Sequence, residues 1–133
     1  MKIAFIGYGK MGKAIEEVAN DRGHSVIAKW VKSDILIPEE LKKADVAFEF
    51  THPESAYINV VKCIEAGTPV VCGTTGWNAK LDDAKKACNE RGGAFFYTSN
   101  FSIGVNILFE LNKKLAQMMS MQPQYQVWLE EVH

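Results

Sequence analysis

Six residues near the N-terminus, Gly7-Tyr8-Gly9-Lys10-Met11-Gly12, constrain the fold more than any others. They follow the short apolar run Ile3-Ala4-Phe5-Ile6. They lead into Met11, Ile15, Val18 and Ala19, spaced at i, i+4, i+7 and i+8 and stopped by Gly23. Strand, G-x-G-x-x-G turn and helix in that order suit a diphosphate. Gly7 permits the tight turn, Gly9 lets backbone approach the pyrophosphate, and Gly12 lets the helix pack closely on the strand. The helix N-terminus adds unsatisfied N–H groups and a partial positive charge. The alternative is a glycine-rich turn that binds nothing.

The rest of the chain repeats the strand–helix alternation. Val46-Ala47-Phe48, Val70-Val71-Cys72 and Ala94-Phe95-Phe96-Tyr97 are continuous apolar runs, and Ser25–Val31 is a less pure one. Continuous rather than alternating runs suit strands buried on both faces of a parallel sheet. Tyr57, Val60, Val61 and Ile64 predict a helix closed by Gly67, with Thr51-His52-Pro53-Glu54 as a capping box and first-turn proline. Asn78 is placed to cap a third helix carrying Leu81, Ala84 and Cys88, with an Asp82–Lys86 ion pair and a Gly92-Gly93 stop. Residues 32–45 read as a loop or a stub of structure. The expectation is an α/β, Rossmann-like doubly wound parallel sheet with right-handed crossovers.

Composition narrows the class. At 133 residues the chain is of single-domain size, ~100–150 residues. Its 47% hydrophobic content argues against intrinsic disorder. Net charge is −1, without the basic surplus that phosphate-backbone binding wants, so no nucleic-acid partner is expected. No apolar run approaches the ~20 residues of a membrane span. The three cysteines, Cys63, Cys72 and Cys88, form no C-x-x-C, and His24, His52 and His133 lack metal-ligand spacing. No metal is expected, and a reduced, cytoplasmic setting is.

Two segments follow strands at the carboxyl edge, where open α/β sheets bind ligands: Gly73-Thr74-Thr75-Gly76-Trp77 and Thr98–Asn106. Their hydroxyl and small residues suit either a nicotinamide carboxamide or ordinary turn chemistry. The acid that would hold an adenine ribose is expected near Val31, which accepts no hydrogen bonds through its side chain. Lys32 and Ser33 suit a 2′-phosphate and favour NADPH, although Lys32 is equally a solvated surface lysine. Asp34 is a further candidate if the loop folds back. His52 reads as a helix-leading loop residue or, less readily, as a ligand contact.

The tail differs. Leu108, Leu111, Leu115 and Met118 mark an amphipathic helix ending before Pro123, and Tyr125–Val132 alternates in the manner of a strand. A final strand with nothing to cover its edge suggests a piece of a longer protein, an edge strand pairing in a dimer being the alternative.

Together GYGKMG, EFTHPE (49–54), CGTTGW (72–77), SNFSIGVN (99–106) and EEVH (130–133) resemble the dihydrodipicolinate reductases, NAD(P)H enzymes of bacterial lysine and diaminopimelate synthesis. The resemblance covers essentially the whole chain in order, and GTTG with NFSxGVN is far more specific than the glycine turn. It implies that Gly7, Tyr8, Gly9, Lys10, Met11 and Gly12 cradle the pyrophosphate of NADPH or NADH. Val31 and Lys32 would meet the adenosine ribose, where family members often carry an acid. Gly73, Thr74 and Thr75, with Thr98, Ser99, Asn100 and Phe101, would line the nicotinamide side. His133 aligns with the first of the family's two adjacent histidines, the proposed proton-handling residue. The family's second histidine, its proton-donating lysine and its Ser-Gly-Thr substrate clamp have no counterpart among these residues. Residues 1–122 would thus be an NAD(P)-binding domain, and 123–133 the start of a substrate-binding and oligomerisation domain. The substrate would be a cyclic dicarboxylate and the parent protein a homotetramer. Other readings are a different two-domain dehydrogenase, such as a homoserine dehydrogenase, or a non-catalytic dinucleotide-sensing module.

Overall fold

A computed structural model of the chain describes every residue except 32, 33, 131 and 133. Met1–Ser99 forms one compact unit and Asn100–His133 a second. The expected 122/123 boundary is a different division, the point at which a further domain would begin.

In the first unit, strands alternate with helices: β1 (Lys2–Ile6), α1 (Lys10–Asp21), β2 (Ser25–Trp30), α2 (Pro38–Leu41), β3 (Val46–Glu49), α3 (Pro53–Ala66), β4 (Val70–Cys72), α4 (Leu81–Glu90) and β5 (Phe95–Tyr97). All ladders are parallel and the order is β2-β1-β3-β4-β5. The continuous apolar run of β1 is explained by its two packed faces. Ala4 and Ile6 join a cluster with Leu41, Val60, Trp77 and Ala84, on the side of α2, α3 and α4. Ile3 and Phe5 join Ala19 and Ile15 of α1 on the other side. Helices therefore cover both faces, as the apolar runs required.

Local detail departs from expectation in several places. The buried stripe of α1 is Gly12 and Ala19 with half-buried Ile15, whereas Met11 and Val18 are exposed. Small residues win the sheet-facing side because they let the helix axis come close. Thr51 makes no capping box. His52 is the N-cap of α3, no side chain caps it, and the Thr51 hydroxyl bonds Glu49 instead. Asn78 opens a short 3₁₀ turn, Asn78–Lys80, and accepts from the Tyr97 hydroxyl at 3.0 Å rather than capping α4. Asp82 pairs with Lys85 at 3.0 Å, and Lys86 leans to Glu90 at 3.9 Å, in place of an Asp82–Lys86 pair. Exposed helix pairs are worth only ~0.3–0.5 kcal/mol, so their choice of partner is easily reversed. Gly67 does close α3, in the left-handed region at φ 74°.

The connection after β2 contributes to the core. Leu41, at the end of the one-turn α2, is fully buried, and its carbonyl accepts the Thr68 hydroxyl at 2.8 Å.

In the second unit, α5 (Ile103–Met119) is N-capped by Ser102, whose hydroxyl accepts from the Val105 N–H. Residues 125–130, where alternation predicted a strand, have no regular secondary structure. A strand exists only through a ladder with a neighbour, and among the described residues none pairs with this stretch.

Leu41→Ala should cost ~2–5 kcal/mol, the range for truncating a buried leucine. Urea unfolding checks this; a loss below ~1 kcal/mol would show that the 34–45 connection is not part of the core.

Candidate functional site

The strand order places a switch point between β1 and β3. From β1 the chain leaves to α1 on one face, and from β3 to α3 on the other. At such a point the carboxyl-end loops part and leave a crevice. Here it is a cleft of about 940 Å³, walled by Gly7, Tyr8 and Gly9 after β1, by Val31 and Asp34 after β2, and by Thr51 and His52 after β3.

The glycine turn is built tightly on one side and openly on the other. Gly7 sits at φ +89°, and a Cβ there would lie 2.0 Å from the Phe50 carbonyl oxygen. A Cβ at Gly12 would lie 2.9 Å from the Gly7 carbonyl oxygen, so α1 packs directly on the turn. Nothing lies within 4 Å of a Cβ built at Gly9. Gly9 is also the N-cap of α1, and no side chain caps it, so the first-turn amides lack intrahelical acceptors. The Gly7 N–H is committed to the Trp30 carbonyl at 2.9 Å. Lys10 and Met11 are exposed, and their side chains lie outside the cleft lining. Among its described lining residues there is no lysine or arginine, while Asp34 and Glu54 are acidic. Any diphosphate here would be held by main-chain amides and the helix dipole.

Tyr8 is fixed from behind. Its hydroxyl bonds Glu16, and the Lys29 ammonium lies 2.7 Å from Glu16, 3.2 Å from the Tyr8 oxygen and 4.4 Å from the centre of its ring. Hydrogen bonds from Lys29 and Tyr8 hold the Glu16 carboxyl below its usual range. The loop after β2 folds back: the Asp34 carboxylate accepts the Val31 N–H at 2.7 Å, and the Asp34 N–H bonds the Val31 carbonyl at 2.9 Å. A carboxylate thereby stands at the end of β2, and the fold-back on which Asp34 depended as a ribose candidate is present. Lys32 lies outside the described residues.

The wall at β3 is backed by a residue the sequence reading did not single out. Glu49 ends β3 completely buried. One carboxylate oxygen accepts the Thr74 hydroxyl at 2.6 Å and the Cys72 thiol at 3.0 Å. The other accepts the Thr51 hydroxyl and the Asn59 amide, the latter at 3.3 Å. Thr74 in turn accepts the Thr51 N–H at 2.7 Å, and its carbonyl accepts the Trp77 indole N–H at 2.7 Å. Both polar groups are thus turned inward, whereas Thr75 is exposed. At Gly73 the space of the missing side chain is filled by the Phe50 ring, 2.1 Å from where a Cβ would be. An acid closing an apolar run gives one signal in sequence: it occupies the same strand face as Ala47, which a buried sheet covers.

Thr98 and Ser99 follow β5 at the same carboxyl edge of the sheet. Asn100 and Phe101 open the second unit, where the Asn100 side chain accepts the Ser102 N–H at 2.8 Å and its carbonyl accepts the Asn106 amide at 2.9 Å. His133 lies outside the described residues. Among the described residues no cluster of His, Cys, Asp or Glu could hold a metal, and no helix is long and apolar enough to cross a membrane.

Sheet, switch-point cleft and glycine turn define a Rossmann-like dinucleotide-binding domain. The chain belongs to the dihydrodipicolinate reductase family: residues 1–101 match the family described as dihydrodipicolinate reductase, N-terminus. It is 43% identical to the 4-hydroxy-tetrahydrodipicolinate reductase of Christiangramia forsetii, covering 100% of this chain and 56% of that protein. It is 29% identical to the same-named reductase of Neisseria gonorrhoeae, covering 90% and 53%. Among solved structures, dipicolinate-bound dihydrodipicolinate reductase from Paenisporosarcina sp. TG-14 superposes with TM-score 0.71 at 23% identity, over 87% of this chain and 53% of that one. The chain spans about half the length of the curated relatives it matches.

The thiols behind this wall are suppressed. Burial, and then the nearby Glu49, push Cys63 from 9.0 up to about 12 and raise Cys72 as well. At pH 8 both should resist an aromatic disulfide reagent until the chain is unfolded, because the thiolate is the nucleophile. The same shifts make stability fall as pH rises above 9, since unfolded thiols ionise there and folded ones do not. Rapid native-state labelling of Cys63 or Cys72 would contradict this burial.

Proposed function

We propose that the chain is the cofactor-binding part of a reductase acting on a cyclic dihydro- or hydroxy-tetrahydrodipicolinate, with NADPH or NADH as reductant. The observation that carries the reading is the uncapped N-terminus of α1 opening onto the switch-point cleft at Gly9, in a chain of this family. The first-turn amides bind the diphosphate, and the open space at Gly9 is what the ligand's approach needs. Tyr8, braced by Glu16 and Lys29, forms one wall. The rim at Gly73, Thr74 and Thr75, with Thr98 and Ser99, takes the nicotinamide end. Thr74 contributes by shaping the loop, because its hydroxyl and carbonyl are both spent internally. Bound in this cleft, a reduced nicotinamide supplies the hydride. His133 handles the proton by the family resemblance, and general acid catalysis of this kind contributes ~10²–10⁴-fold.

The choice between the cofactors falls to the end of β2. Lys32 and Ser33 favour a 2′-phosphate by residue type, as the sequence reading expects. Asp34 pulls the other way: its carboxylate suits a ribose 2′-hydroxyl and repels a phosphate. Asp34→Asn should shift the NADPH-to-NADH affinity ratio about tenfold toward NADPH, read by calorimetric titration of both cofactors. An unchanged ratio would remove Asp34 from the ribose site.

Gly9→Val should lower cofactor affinity at least ~10-fold while far-UV circular dichroism and Tm stay near those of the parent, since the new side chain projects into the cleft and not into the fold. A folded Gly9→Val chain with normal affinity would overturn the cradle. The 133-residue chain should bind cofactor but reduce substrate little, and a chain extended over the length of its relatives should be active. Continued inactivity of the extended, cofactor-bound chain would favour a sensing module.

A further inference from the structure

Among the described residues Glu49 has no cationic partner although it is buried: the groups it accepts from are two hydroxyls, an amide and a thiol. A buried carboxylate is costly unless its hydrogen bonds are complete, and among the described residues no buried side-chain oxygen or nitrogen lacks a partner. The donors come from three separate places: Thr51 from the loop after β3, Asn59 from α3, and Cys72 with Thr74 from the end of β4 and the loop beyond it. Thr51 and Asn59 line the cleft on their other side. The Thr51 hydroxyl also meets Ser55, which lines the cleft too, at 3.0 Å. Thr74 closes a ring, donating to Glu49 while accepting the Thr51 main-chain N–H. None of these bonds reaches the glycine turn or the end of β2.

We propose that Glu49 is a positioning residue that locks the loops after β3 and β4 into one arrangement and so orients the nicotinamide half of the cofactor, leaving the adenosine and diphosphate half unaffected. The inference rests on the cofactor-binding reading above. Its physical content is the acceptor-only character of the carboxylate. Four donors converge on two oxygens, and together their bonds tie three parts of the wall to one fixed point. A glutamine of the same shape presents an NH₂ group to two of those donors in either orientation, so bonds on that side must reverse or break and the wall is held less firmly.

The test separates the two halves of the ligand. Glu49→Gln and, as a second variant, Thr74→Val are titrated with NADH and with ADP-ribose, which lacks only the nicotinamide ring. NADPH and 2′-phospho-ADP-ribose serve as the matched pair for the phosphorylated cofactor. Each variant should lose about tenfold in affinity for the dinucleotide and less than twofold for its fragment. The double variant should be no weaker than the weaker single one, because both act through one contact. The emission of bound NADH should also broaden toward that of the free cofactor. If Glu49→Gln fails to fold, Thr74→Val carries the decision alone. Equal losses for dinucleotide and fragment, or no loss for either, would overturn the proposal. Should the parent chain bind neither ligand, the cofactor-binding reading fails first and this inference with it.

Discussion

The close approach between the turn after β1 and the end of β3 organises everything else. Gly7 passes so near the Phe50 carbonyl that only a residue without a side chain fits. The Phe50 N–H donates to the Ile6 carbonyl at 2.8 Å, so the two strands stay paired up to the point where they must part. From there one chain path turns to α1 and the other to α3, on opposite faces of the sheet. The cleft is the space left by that divergence, and the α1 N-terminus faces it because Gly12 lets the helix settle directly on the turn. Remove the fit at Gly7 and both the cleft and the aim of the amides change together.

Around that constraint, polar groups divide into two systems that do not touch in the hydrogen-bond pattern. One is the Tyr8–Glu16–Lys29 cluster on the α1 side, partly exposed and charge-assisted. The other is the Glu49 ring on the α3 side, its carboxylate fully buried and, among the described residues, without a cationic partner. The first braces the Tyr8 wall at the glycine turn, and the second braces the wall beyond β3. A dinucleotide has two chemically different ends, and under the proposed function each would meet a scaffold of its own. Solvent and salt screen the first more than the second, whose central carboxylate is buried.

The strands were legible because a sheet packed on both faces demands unbroken apolar runs, and Ile3–Ile6 and Val70–Cys72 are such runs. The glycine turn was legible because each glycine answers a separate steric demand. What stayed hidden depends on tertiary partners. Met11 and Val18 have helical spacing, but the sheet takes Gly12 and Ala19, a choice that only the closeness of packing decides. Thr51 and Asn78 look like caps by local rules, yet Glu49 and Tyr97 outbid the helix ends for them. Asp34 was legible only as a candidate conditional on its loop folding back, a condition its bonds to Val31 meet. Glu49 resembles a solvated strand end until β4 and α3 enclose it. The alternation in Tyr125–Glu130 marks residues able to pair, and pairing needs a neighbour.

The central claim is that the main-chain amides at the start of α1 receive the diphosphate. Amide chemical shifts of ¹⁵N-labelled chain, followed during titration with ADP-ribose, test it most directly. The account predicts that the largest changes fall on Gly9, Lys10, Met11 and Gly12, with little change in α4. Shifts confined to other elements, with residues 9–12 unmoved at saturation, would contradict it.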